Sequence, residues 1–198
     1  MRIRDENKEL AIREKALDMI VQEGFDGLSM HKLAKAAGVS PATIYIYFKD
    51  REDLIVQIYR EESQRMTEAT LDGFDPAMPF EEGLRIQWVN RANYCLRYPQ
   101  RMHFMEQMRH SPFHDKFRQV AENPFIAAMK SFVCNAIKRK ELEELPLEVY
   151  WSLAFAPLYQ LIKFHMSHRG EPGANEFTLD KILLNKTLEL VLKALRPA

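Results

Sequence analysis

The chain has 198 residues, 46% apolar and 28% charged, and its 28 Lys/Arg balance 28 Asp/Glu for a formal net charge of zero. That length holds one large domain or two small ones with a substantial core, at a composition ordinary for a soluble globular protein. No apolar run approaches the roughly 18 residues that span a bilayer, and the charged opening "MRIRDENKEL" lacks the apolar stretch of an export signal. With only Cys95 and Cys134, a reducing cytoplasm is the expected compartment. Seven glycines leave no room for a long Gly-rich phosphate cradle.

Taken in order, the chain reads as helix after helix. The first runs from about Glu6 to Glu23, with Ile12, Ala16, Leu17, Ile20 and Val21 on one face and Gly24 ending it. "LSMHKLAKAAG" follows, with Ser29 as N-cap and Gly38 just past the end. Asp50 caps a long helix to about Leu71, and "DGFDPAMP" is the clearest linker in the first half. Further helices are expected over 80–97, 100–109, 113–120 and from Pro124 to about Lys140. Another runs from about Leu147 to His168, kinked or broken at Pro157. "RGEPGANEF" reads as a turn, and Thr178 as the cap of a last helix that ends before Pro197. Because "YWSLAFAPLYQLIKF", Tyr150 to Phe164, is apolar on nearly every side, it is expected to be buried all round. The helices near 147–168 and 178–195 can form an antiparallel pair, which in two subunits makes a four-helix interface; the alternative is that they complete the monomer core.

The segment between the second and third capping residues poses a question. Thr43-Ile44-Tyr45-Ile46-Tyr47-Phe48 is β-branched and aromatic throughout, a composition favoured in strands. Yet Ser40 can cap a helix, Pro41 then sits at the first helical position, and Asp50 limits the element to about two turns. A strand would need a partner that nothing else in the chain offers, leaving its backbone groups unsatisfied. Helix is therefore the expectation, with Ile44 and Phe48 in the core and Ala42, Thr43, Ile46 and Tyr47 pointing elsewhere. A short second helix after a Gly-containing turn is the helix-turn-helix arrangement.

Residues Ala11 to Leu54 resemble the N-terminal domain of the TetR family of transcriptional repressors. The matching residues are Ala16, Gly24, Phe25, Leu33-Ala34, Ala37-Gly38-Val39-Ser40, Ile44-Tyr45, Phe48, Arg51 and Leu54. The resemblance implies an all-α fold, with a helix-turn-helix DNA-binding domain over residues 1–50 and a helical ligand-binding and dimerisation domain over 51–198. It also implies a homodimer that reads a palindromic operator, with half-sites roughly 34–36 Å apart, and that a small-molecule effector releases. Carried over by position, Pro41, Ala42, Thr43 and Ile46 fall where base edges or thymine methyls are met, with Ser29 and Ser40 at the flanking caps. Tyr45, Tyr47 and Arg51 match phosphate-contacting places, and Lys49 adds another. His31 stands where a longer basic residue reads guanine, and Met30 where a hydroxyl residue is common. The competing readings are a packed position for Tyr45, plain solvated charges for Lys49 and Arg51, and mere exposure for Ile46. Between Ser29 and Arg51 the net charge is +3, a small basic patch on a neutral chain.

Nucleophile elbows, dinucleotide fingerprints and Walker-type loops are absent from the sequence. The pairs His110/His114 and His165/His168 lack a matching Cys or carboxylate set, so neither a metal nor a cofactor is expected. Large apolar residues of the middle helices are individually core at helical spacing. Together, Trp88, Tyr94, Phe104, Met108, Phe125, Met129, Trp151, Phe155 and Tyr159, with His103, can line a pocket for an apolar or aromatic effector. Arg109 and His165 are further possible polar anchors. Rival classes are an α-helical protein–protein adaptor and a small helical enzyme; the basic residues favour the regulator, and the missing nucleophile–base set counts against the enzyme.

Overall fold

The computed structural model describes residues 5–114, 124–167 and 177–197. They fold into helices α1 (Glu6–Gly27), α2 (Met30–Ala36), α3 (Pro41–Tyr47), α4 (Arg51–Leu71), α5 (Phe80–Arg97) and α6 (Pro99–Arg109), followed by α7 (Pro124–Lys138), α8 (Leu147–Ala154), α9 (Ala156–Ser167) and α10 (Lys181–Leu195). Among the described residues there is no strand. The fold is all-α, with an N-terminal helix-turn-helix. No helix among the described residues is long and apolar enough to cross a membrane.

The chain divides into two compact units, one of residues 1–65 and 98–121, the other of 66–97 and 122–198. These are units of packing, and they do not coincide with the division at residue 50 that the family resemblance implies.

In the first unit, Ile12, Ala16, Leu17 and Ile20 of α1, Leu33 and Ala34 of α2, Ile44 and Phe48, Leu54, Ile55 and Ile58 of α4, and Phe104 and Met108 of α6 form one buried cluster. Charged side chains tie the helices above it. Arg101 of α6 bonds Glu62 of α4 and, at 2.6 Å, Glu14 of α1. Arg13 reaches Glu9 at 2.7 Å and Gln57 at 2.8 Å, with its guanidinium 4.9 Å above the Phe48 ring. Burial raises the Glu62 carboxyl above its ordinary range, and the Arg101 and Arg65 charges oppose it.

The expected helix ends hold with two corrections. Gly24 does not close α1: at φ +74 it kinks the helix, and one more turn follows to Gly27. Thr178 does not cap the last helix; Asp180 does, its carboxylate accepting from Leu183 N at 2.8 Å. A carboxylate at a helix N-terminus also meets the favourable end of the backbone dipole, so the cap falls at the acid rather than the hydroxyl. The span 147–168 is broken where Pro157 demanded it, with Phe155 between α8 and α9. Residues 115–120, expected as helix, lie outside the described residues, as does most of the 169–177 turn.

The second unit packs α5 against α7, α9 and α10. Phe80 stacks on Phe132 at 5.5 Å, and Phe74 meets the same ring edge-on at 5.0 Å. Trp88 is fully buried, and its indole N–H donates to the Ala154 carbonyl, at the end of α8, at 2.7 Å. Neither Cys95 nor Cys134 is in a disulfide. The run from Tyr150 to Phe164 is not buried on all sides, since Leu153 and Phe164 are exposed.

The Phe80–Phe132 stack leaves no space beside Gly83: a Cβ there would lie 2.5 Å from Phe132 Cε2 and 3.1 Å from Phe74 Cε2. Gly83→Ala is therefore expected to destabilise the protein by about 1–3 kcal/mol, outweighing a helix-propensity gain of about 1 kcal/mol. Urea denaturation followed by circular dichroism measures the difference.

Candidate functional site

The turn between α2 and α3 is built residue by residue from the sequence. Ser29 starts α2 by accepting from Lys32 N at 3.2 Å. At its far end Gly38 takes φ +66, its N–H reaches Lys35 O at 3.3 Å, and Val39 N reaches Ala34 O at 3.0 Å. This is a Schellman motif, and the left-handed residue in it is the one with no Cβ to strain. Ser40 then caps α3, accepting from Thr43 N at 3.2 Å and lying 2.8 Å from the Thr43 hydroxyl, with Pro41 at the first helical position. At the start of α4, Asp50 accepts from Asp53 N at 2.9 Å, and Asp53 accepts from Lys49 N at 2.8 Å.

This geometry sorts the candidate contacts. Ser29, His31, Ser40, Ala42, Tyr45, Ile46 and Lys49 are exposed, and Pro41 and Thr43 are half-buried. Tyr45 is 54% exposed, so it does not take the packed position. Tyr47 takes it instead, at 7% exposure. Ile44, Tyr47 and Phe48 are spaced i, i+3, i+4 and share the buried face, which corrects the expectation that Tyr47 points elsewhere. The Tyr47 hydroxyl accepts from Asp5 N at 2.9 Å and donates to Asp5 O. Met30 is likewise buried, in the core of the first unit, rather than on the reading face. Arg51 directs its guanidinium to the Phe25 carbonyl, and Lys32 lies 3.5 Å from Glu23. Between residues 29 and 51, the Lys and Arg side chains that face solvent without a partner among the described residues are therefore Lys35 and Lys49, the former unremarked as a contact in the sequence because it reads as an ordinary helix charge.

The effector candidates do not form one group. His103, Phe104 and Met108 belong to the first unit, where Phe104 and Met108 are part of the buried cluster and His103 is exposed. Trp88, Tyr94, Phe125, Met129, Trp151, Phe155 and Tyr159 belong to the second. Of these, Phe125, Trp151 and Phe155 are brought together: Trp151 meets Phe155 at 4.7 Å and Phe125 at 6.4 Å. At their centre is a residue the sequence reading passed over. Arg91 is 2% exposed, with its guanidinium 4.4 Å above Phe155 and 5.1 Å above Phe125. It donates to Gln87 Oε1 at 3.3 Å. Burial raises the Tyr150 phenol and pushes the Cys95 thiol up to about 11, the Arg91 charge opposing both.

An all-α chain with a capped two-turn helix exposed beyond a left-handed glycine turn is a helix-turn-helix protein of the DNA-binding regulator class. Residues 12–58 match the family model described as bacterial regulatory proteins, tetR family. An HTH-type transcriptional regulator of Haemophilus influenzae, itself uncharacterised, is 31% identical over 137 residues, 69% of this chain and 71% of that one. This chain belongs to the TetR family of transcriptional regulators, whose members are not enzymes. The crystal structure of a TetR family regulator from Marinobacter aquaeolei is similar over the full length of both chains, at TM-score 0.76 and 26% identity. The fold is also that of FadR from Bacillus subtilis, a structure solved with stearoyl-CoA, at TM-score 0.71 and 18% identity over 95% of this chain and all of that one.

Because its hydroxyl is engaged with the backbone of Asp5, Tyr47 has a structural role that can be separated from DNA contact. Tyr47→Phe should lower stability by about 1 kcal/mol while leaving the salt dependence of DNA binding unchanged; denaturation and fluorescence anisotropy at several salt concentrations measure the two effects.

Proposed function

We propose that this chain is a repressor that acts as a homodimer on a palindromic operator in the cytoplasm, and that a small apolar or aromatic effector releases it. The observation that carries this reading is the exposed face of α3, where Ala42, Tyr45 and Ile46 stand outward on a helix held from behind by Ile44, Tyr47 and Phe48. Ala42 and the Thr43 methyl suit thymine methyls, while His31, Tyr45, Lys35 and Lys49 offer donors to bases and phosphates. With no Arg, Asn or Gln on α3, recognition leans on shape and methyl contacts rather than bidentate hydrogen bonds.

The division by role places DNA reading in residues 1–50 and effector binding and dimerisation in 51–198. Dimerisation through the helices near 147–168 and 178–195 is supported by apolar residues left exposed there, Ile182 at 79%, Leu147 at 69% and Leu190 at 59% foremost, with Leu153 and Phe164 exposed in the run from Tyr150 to Phe164. An apolar effector is supported by the aromatic cluster of the second unit and by the stearoyl-CoA held in the FadR neighbour.

Anisotropy titration against the DNA upstream of the coding region tests the reading. Tight, salt-sensitive, palindrome-dependent binding is expected; weak, sequence-indifferent binding by a folded dimer overturns it in favour of an adaptor. Lys49→Ala should weaken binding evenly across sequences and flatten the salt slope by about one unit. Sedimentation should show a dimer at micromolar concentration, and a stable monomer there removes the dimer.

A further inference from the structure

Arg91 is a buried cation with no anion to meet it among the described residues. Among the described residues no carboxylate lies within ion-pairing distance of its guanidinium, and its one hydrogen bond goes to the neutral amide oxygen of Gln87. Its Nε–H has no partner, nor has the Gln87 amide nitrogen, nor the Tyr150 hydroxyl, and all three atoms are buried. The two residues whose ionisation would supply a negative charge, Cys95 and Tyr150, are held neutral at physiological pH by burial. The faces of Phe125 and Phe155 offset part of the charge through cation–π contact. They cannot accept the Nε–H or the amide hydrogens in the plane of the guanidinium.

The inventory is therefore lopsided, with two unmatched nitrogen donors and a hydroxyl that can also donate. An unpaired buried charge of this kind is among the costlier features a fold can hold, and an unsatisfied buried group calls for an explanation, of which a bound molecule is one. What completes it must be rich in acceptors, negatively charged and attached to an apolar body, because the walls are the aromatic rings of Phe125, Trp151 and Phe155. A planar guanidinium prefers a carboxylate, which accepts two parallel N–H bonds.

We infer that Arg91, Gln87 and Tyr150 form the polar end of the effector site and that the effector is an apolar carboxylate, a fatty or arylalkyl acid, whose carboxylate pairs with Arg91. The inference rests on the reading of the second unit as effector-binding, and it separates a free acid from its thioester or ester. In those the acyl carbon carries no charge.

Quenching of tryptophan fluorescence in the purified full-length protein reads occupancy beside Trp151, with octanoate, dodecanoate and 4-phenylbutyrate as probes and their methyl esters as uncharged controls. Each acid that binds is expected to do so at least about tenfold more tightly than its ester, the worth of one charge-assisted hydrogen bond. Arg91→Met should abolish that preference, and Arg91→Lys should retain part of it. Removing an uncompensated buried charge should also leave the ligand-free Arg91→Met protein with a melting temperature unchanged or raised, whereas an arginine that merely props up the core would lower it. Should Arg91→Met fail to fold, Gln87→Leu, which keeps the cation, serves instead by narrowing the preference. No saturable response to any acid, equal affinity for acid and ester, or a preference that survives in Arg91→Met overturns the inference. Operator binding in the same samples keeps the two readings apart. Palindrome-dependent DNA binding without acid preference removes this inference alone, and acid preference in a protein indifferent to operator DNA removes the regulator and leaves the carboxylate site.

Discussion

A seven-residue helix has almost no stability of its own in water, because its nucleation cost is never recovered over so few hydrogen bonds. On the proposed reading, everything this protein offers to DNA depends on overcoming that constraint for α3. Burial of Ile44, Tyr47 and Phe48 against α1, α2 and α4 does so, helped by a cap at Ser40 and a proline whose φ is already helical. The ties of Arg101 to Glu14 and Glu62, and of Arg13 to Gln57, then hold the helices that make up the platform. Charge has a supporting place here: it orients long helices, while apolar area decides whether the short one exists.

The local signals legible in the sequence were those that a few residues settle among themselves. Ser29, Ser40 and Asp50 cap where their spacing places them, Gly38 turns left-handed, and Pro157 breaks its helix. The β-like composition of "TIYIYF" was outweighed because the element had no strand to pair with. What escaped was decided at a distance. Which of two tyrosines faces inward depends on the phase of a helix of two turns, and an error of one residue exchanges them. Arg51 reads as a phosphate contact until Phe25, 26 residues upstream, is placed beside it. Arg91 reads as one more charge on an amphipathic helix until Phe125 of α7 and Phe155, between α8 and α9, enclose it. The effector list divides between the two units for the same reason: helical spacing of aromatic residues marks a core without saying which core.

The electrostatic character of the two units differs in kind. On the reading face several formal positive charges are already engaged within the protein, Arg51 with a backbone carbonyl and Lys32 with Glu23, so the +3 of residues 29–51 overstates what remains for phosphate. In the second unit the situation is reversed, with a full charge enclosed by aromatic rings and with polar atoms left over. A surface that gives up its charges and an interior that keeps one are both departures from ordinary practice, and each falls at a place proposed above to meet another molecule.

The hydrogen bonds between Tyr47 and the backbone of Asp5 have a practical consequence for handling the protein. They fasten the beginning of α1 to the C-terminal end of α3, so whatever precedes Asp5 leaves the unit next to the end of the reading helix. An affinity tag or fluorescent fusion joined there would crowd the approach of a duplex, and a basic tag would add its own attraction for phosphate. The end of the chain after Leu195 belongs to the other unit. A fusion placed there is not attached to the helix-turn-helix unit.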